Sequence, residues 1–140
     1  MPLILESFQK AIAALQAAQA RSEDAELMAR LDPTMQTVVQ SGVIQHFEFT
    51  YELAWKFMRR RLEADIGRSA VEGINRRDLF RIAAEQGLIE NVEAWFRYHL
   101  ARNETSHTYD ASVAARVYAT TLDFARDAAA LLAVLESRNA

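Results

Sequence analysis

VIQHFEFTYELAWKFMRRRL, residues 43–62, is the stretch whose reading decides the fold. Ile44, Phe47, Tyr51, Ala54, Met58 and Leu62 recur at spacings of three and four, the period that returns residues to one side of an α-helix. Phe49, Leu53, Trp55 and Phe57 spread apolar surface well beyond that stripe. A helix apolar around most of its circumference is covered on several sides. In a chain of 140 residues, this predicts one side packed on the core and another on a second subunit. The alternative is the central helix of a monomer.

Working outward, this helix is expected to run from about Thr34 to Ile66, softened at most by Gly42. Pro33 marks its start, because proline disfavours helix at the residue before it, here Asp32. Upstream, Leu5, Phe8, Ile12 and Leu15 predict a first amphipathic helix that continues through the alanine-rich segment to Leu31. Downstream, residues 65–78 hold Gly67 and Gly73 and read as a loop. Asn75 is placed to cap a short helix that ends at Gly87, and Asn91 to cap another. Asp110 is placed to cap a final helix whose apolar side includes Val113, Val117, Phe124, Leu131 and Leu135. No strand, repeat or low-complexity segment emerges. The expected architecture is all-α: one domain, residues 1–140, an antiparallel up-and-down bundle of four long helices plus one short one, dimeric.

Composition narrows the function. The chain has 51% apolar residues, enough for a substantial core. Sixteen basic and nineteen acidic residues give a net charge of −3, against an open, non-specific nucleic-acid binder. With no cysteine, disulfides, thiolate metal sites and cysteine nucleophiles are excluded. The N-terminus does not read as a signal peptide. The longest apolar run, Ala128 to Leu135, falls short of the ~20 residues a membrane helix needs. A cytoplasmic protein without a membrane segment is expected.

Between two apolar segments lies RNETSHTY, residues 102–109. Arg102 and His107 are separated by roughly 140° on a continuous helix. Asn103 and His107 share a side, as do Arg102 and Ser106. Either the helix unwinds near Ser106 and lets His107 swing back, or Arg102 meets a partner elsewhere; the Asp110 cap supports a turn near Thr108, which places His107 and Tyr109 at a bundle terminus. These residue types suit phosphate chemistry. Arginine is a forked, permanently charged donor, and histidine transfers protons near neutral pH. Cleavage of RNA by its own 2′-hydroxyl needs a base, an acid and a cation, with no metal. A two-fold dimer supplies two copies of His107 to divide the proton transfers. Capping at a helix C-terminus explains the same residues without any chemistry.

The octad resembles the motif of HEPN-domain proteins: arginine, four residues, histidine, any residue, tyrosine. FEFTYELAWKFM, residues 47–58, and GLIENVEAWFRYHLARNETSHTYD, residues 87–110, resemble one HEPN branch, the nucleotidyltransferase substrate-binding proteins close to HepT-like toxins. The resemblance covers most of the chain, from about Val38 to the last helix. It implies a homodimeric helical bundle, and a minimal nucleotidyltransferase partner encoded by a neighbouring gene. It also implies a metal-independent ribonuclease site of Arg102 and His107, assisted by Asn103, with Ser106 as a further supporting residue. Tyr109 falls where HepT-like toxins accept adenylyl groups from the partner. The resulting expectation is a toxin-type endoribonuclease without cofactor, of a toxin–antitoxin pair. The competing readings are a non-catalytic subunit binding a nucleotide or RNA end, and a purely structural helical dimer.

Other candidates carry less. His99, Asn103 and His107 form a loose stripe that lacks carboxylates or thiolates for a metal. His46 reads as packing. Glu48, Glu52 and Lys56 read as a charged helix face, although either glutamate would orient Arg102 if it faced the bundle. Arg59, Arg60, Arg61, Arg68, Arg76, Arg77 and Arg81 make the middle of the chain basic, which suits a solvated face, an RNA backbone or an acidic partner. Trp55 and Trp95 read as core or interface anchors.

Overall fold

The computed structural model of the chain describes residues 2–139. Its helices are α1 (Glu6–Ser22), α2 (Ala25–Ala29), α3 (Pro33–Ile66), α4 (Arg76–Glu85), α5 (Val92–Glu104) and α6 (Ala111–Arg138), with 3-10 turns at Arg68–Ala70 and Thr105–His107. No strand occurs among the described residues. Helices α1, α3, α5 and α6 pack against one another as an antiparallel bundle, and α4 braces α5.

Boundaries follow the expected chemistry. The Asp32 side chain accepts from the Met35 amide with Pro33 in the first turn of α3, and Asn75, Asn91 and Asp110 accept from amides of the first turns of α4, α5 and α6. Each satisfies a donor that the helix leaves open. Gly67 ends α3 at φ 97°, a backbone region that side chains with a Cβ rarely adopt. Gly42 produces no break in α3.

The first helix needs correction. It does not continue to Leu31; it stops at Ser22, and Asp24 starts α2 by accepting from the Leu27 amide. A local cap here outcompetes alanine-rich helix propensity.

The stripe Ile44, Phe47, Tyr51, Ala54, Met58 and Leu62 is buried in full. Phe124 on α6 meets it edge-on, its ring centroid 5.0 Å from Phe47, 5.2 Å from Tyr98 and 5.7 Å from Trp95. Trp95 is therefore a core anchor, while Trp55 is half-buried. Val38 and Phe49, eleven residues apart on α3 and so on one side of it, stay 53% and 56% exposed. This second apolar side is not covered by the chain itself. Arg61, from the basic run, is buried and bonds Asp65 through Nε at 3.1 Å, so this arginine does not belong to a solvated face. No described helix is long and apolar enough to cross a membrane.

Candidate functional site

Helix α5 ends at Glu104, and the chain tightens into the 3-10 turn Thr105–His107 before α6 begins. The turn is held locally. Thr105 Oγ1 donates to the Arg102 carbonyl at 2.8 Å, and Thr108 Oγ1 to the Thr105 carbonyl at 3.2 Å. Glu104 is ion-paired to Arg116 on α6, which ties the end of α5 to the start of the next helix. The unwinding expected near Ser106 is present.

Arg102 points back toward α3. Its Nη1 lies 3.4 Å from Glu48 Oε2 and donates to Thr105 Oγ1 at 3.1 Å. Its Nε is enclosed 3.3 Å from Glu52 Oε1, an ionic contact without the alignment of a hydrogen bond. Glu52 is itself fixed by the Trp55 indole, which donates to Oε2 at 3.0 Å. Both glutamates thus reach across to α5 and orient Arg102 from a half-buried position. Together with Phe49 and Leu53 they line an open groove of about 440 Å³. The guanidinium sits on the exposed apolar side of α3.

His107 and Tyr109 are exposed and adjacent. Tyr109 Oη lies 3.5 Å from His107 Nδ1, with ring centroids 6.0 Å apart. Tyr109 is 86% exposed. Asn103 and Ser106 are also exposed and make no side-chain hydrogen bond among the described residues. No hydrogen bond links Arg102 to His107 among the described residues. The octad therefore presents two separate features, a clamped arginine in the groove and a free histidine–tyrosine pair at the turn.

Sequence reasoning missed Thr105, whose hydroxyl serves Arg102 in place of the Ser106 picked out at a spacing of four. It also missed a second histidine–tyrosine pair. Tyr51 Oη lies 2.8 Å from His99 Nδ1 and accepts from Arg76 Nη1 at 3.1 Å. Arginine only donates, so Tyr51 Oη accepts from Arg76 and shares one further proton with His99 Nδ1. Burial pushes the Tyr51 phenol up to about 12, against the lowering influence of Arg76. Burial, and then the charges of Arg76 and Arg77, hold His99 below its ordinary value of 6.5. His99 is a satisfied histidine whose charged form its surroundings disfavour.

The chain resembles known proteins along most of its length. Residues 3–137 match the family model described as nucleotidyltransferase substrate binding protein like. A probable ribonuclease HepT of Haemophilus influenzae is 41% identical over 106 residues, which cover 75% of this chain and 73% of the relative. A solved Haemophilus influenzae structure, described as the fold of a substrate binding domain of a nucleotidyltransferase, superposes with a TM-score of 0.91 at 34% identity, covering 95% of this chain and 99% of that one. A crystal structure of a Thermus thermophilus protein superposes with a TM-score of 0.73 at 25% identity, covering 91% of this chain and 98% of that one.

Proposed function

This chain belongs to the family of nucleotidyltransferase substrate binding protein-like chains, and we propose that it is the toxin-type ribonuclease of a two-protein module whose nucleotidyltransferase holds it in check. The observation that carries this reading is the placement of Arg102, pinned by Glu48, Glu52 and Thr105 in an open groove, one turn before an exposed histidine. A guanidinium held from several sides gives up little side-chain freedom when it meets a phosphate.

Two copies of the chain complete the site. The uncovered side of α3, from Val38 through Phe49 to the half-buried Leu53, is an apolar stripe that a second copy covers symmetrically. Each copy brings one Arg102 and one His107. One His107 takes the proton of the RNA 2′-hydroxyl as its oxygen attacks phosphorus. The P–O5′ bond breaks, and the other His107, protonated, gives its proton to the departing 5′-oxygen. Arg102 stabilises charge on the non-bridging oxygens. The products are a 2′,3′-cyclic phosphate and a free 5′-hydroxyl, with no metal required.

Control falls on Tyr109. Its exposed hydroxyl attacks the α-phosphorus of ATP on the partner enzyme, pyrophosphate leaves, and the phenolic proton is lost. The resulting phosphodiester carries negative charge beside His107 and repels an RNA phosphate.

One observation favours a second reading, a non-catalytic subunit that presents a nucleotide or RNA end to the nucleotidyltransferase. Glu48 and Glu52 together place two carboxylates on Arg102, which offsets its charge toward a phosphate. Intact-mass measurement after incubation with the nucleotidyltransferase and ATP, beside a cleavage assay in chelator, decides. The ribonuclease reading requires cleavage at the outset, a mass gain of one AMP that disappears in Tyr109→Phe, and loss of cleavage with that gain. A stable complex with neither mass change nor cleavage would establish the binding subunit instead.

A further inference from the structure

A second concentration of chemistry lies beside the Arg102 groove, on the adjoining parts of α3, α4 and α5. Here arginines and lysine lie over aromatic rings. Arg76 covers Trp55 at 3.7 Å from the ring centroid, Lys56 approaches the same ring at 5.7 Å, and Arg77 lies over Phe96 at 4.6 Å. Both rings are half-buried. The rings anchor the cations without neutralising them.

Unpaired cations are not confined to this cluster, since Arg21, Arg60, Arg68 and Arg97 also show no ion pair among the described residues, but here three of them gather over aromatic rings. Lys10, Arg30, Arg59, Arg81 and Arg116 each face a carboxylate within ion-pair distance. Lys56, Arg76 and Arg77 face none among the described residues. A chain with nineteen acidic and sixteen basic residues has carboxylates to spare, yet leaves these three neighbouring cations open. Their field is felt nearby, since Arg76 and Arg77 both disfavour the charged form of His99. Trp55 and Arg76 also line a cavity of about 230 Å³ together with Arg59 and Asn75.

The cluster is continuous with the groove. Trp55 donates to Glu52, and Glu52 contacts Arg102. A strand that places a phosphate at Arg102 passes the Arg102-paired Glu52 and then meets the cations backed by Trp55 and Phe96.

We infer that Lys56, Arg76 and Arg77, backed by Trp55 and Phe96, form a track for the backbone of single-stranded RNA flanking the phosphate bound at Arg102. This rests on the ribonuclease reading and deepens it, by giving the substrate a direction and an unpaired form. Cations at fixed spacing read phosphates without reading bases, and flat guanidinium and indole surfaces accept bases that a duplex would keep stacked inside. The track is local, which reconciles RNA binding with a net-acidic chain.

The test uses the full chain carrying His107→Ala, so that RNA is bound and not consumed, and a fluorescently labelled single-stranded RNA followed by anisotropy over a range of salt. Adding Lys56→Ala and Arg77→Ala is expected to weaken binding about tenfold at low salt. It should also flatten the slope of log affinity against log salt by about 1.4, at about 0.7 per lost phosphate contact on a single strand. The control pair Lys10→Ala and Arg30→Ala removes the same charge from cations already paired, and is expected to leave both quantities unchanged. Arg76 is left intact because it also holds Tyr51. Equal behaviour of the two pairs overturns the track while the RNA reading stands. Failure of the parent to bind any RNA overturns both. Loss of nucleotidyltransferase capture with RNA binding intact overturns the track in favour of a protein-docking face.

Discussion

Tyr51 and His99 meet at 2.8 Å with their rings stacked and Tyr51 fully buried, whereas Tyr109 and His107 meet at 3.5 Å on the surface with rings near perpendicular. The two histidines lie eight residues apart, at the end of α5 and in the turn that follows it. The buried pair is held on several sides. Arg76 donates to the tyrosine, the tyrosine and the histidine share a hydrogen bond, and burial opposes charge on both rings. The exposed pair has nothing else bonded to it among the described residues, and its hydroxyl lies open at the surface. Identical residue types are thus fixed in one place and accessible in the other, according to what covers them.

On the proposed ribonuclease reading, the largest effect falls on Arg102, in the groove beside the exposed pair. Arg102→Ala is expected to lower RNA cleavage by about 10²–10³-fold, the usual cost of one preorganised donor to a developing oxyanion, measured by single-turnover assay in chelator. At the buried pair, Tyr51→Phe leaves His99 Nδ1 and an Arg76 donor without their partner. It should cost about 1–3 kcal/mol of stability, read from denaturant midpoints at unchanged slope.

A third expectation concerns acid. Because His99 binds its proton less readily in the fold than in the unfolded chain, the unfolded chain takes up more protons as pH falls below about 6.5. The stability contribution is complete above that pH and declines as pH drops toward the folded value. An NMR titration should show the His99 imidazole titrating below an ordinary histidine, and His99→Gln should lessen the acid sensitivity of the midpoint. The smallest effect is expected at Tyr109→Phe, within about 0.5 kcal/mol of the parent because the hydroxyl is on the surface, while acceptance of AMP is abolished.

How far the sequence could be read follows the same division. Burial of Ile44, Phe47, Tyr51, Ala54, Met58 and Leu62 was legible because helical period and core packing agree there. The caps Asn75, Asn91 and Asp110 were legible because their chemistry is local. The break after Ser22 was not, since a polar cap at Asp24 competes with an alanine-rich run and periodicity cannot weigh the two. The Arg102 clamp was only half legible. Glu48 and Glu52 stood on the right helix, but which way they faced depended on how α3 and α5 cross. Thr105, three residues on from Arg102, was as reachable by helical spacing as Ser106, four residues on, and spacing alone does not choose between the two hydroxyls. The Tyr51–His99–Arg76 chain joins three helices, and no spacing along the sequence announces it. Arg61 read as one of three surface arginines and is buried, because its guanidinium reaches Asp65 one turn on.

The most direct measurement is the cleavage of single-stranded RNA in chelator by the parent chain and by His107→Ala, with thermal unfolding of both recorded alongside. The expected result is cleavage to a 2′,3′-cyclic phosphate by the parent and a loss of about 10²–10⁴-fold in the variant, with unfolding unchanged. Equal cleavage by the two proteins, or none by a parent that is folded and binds RNA, would contradict the assignment of the exposed pair as the reacting site.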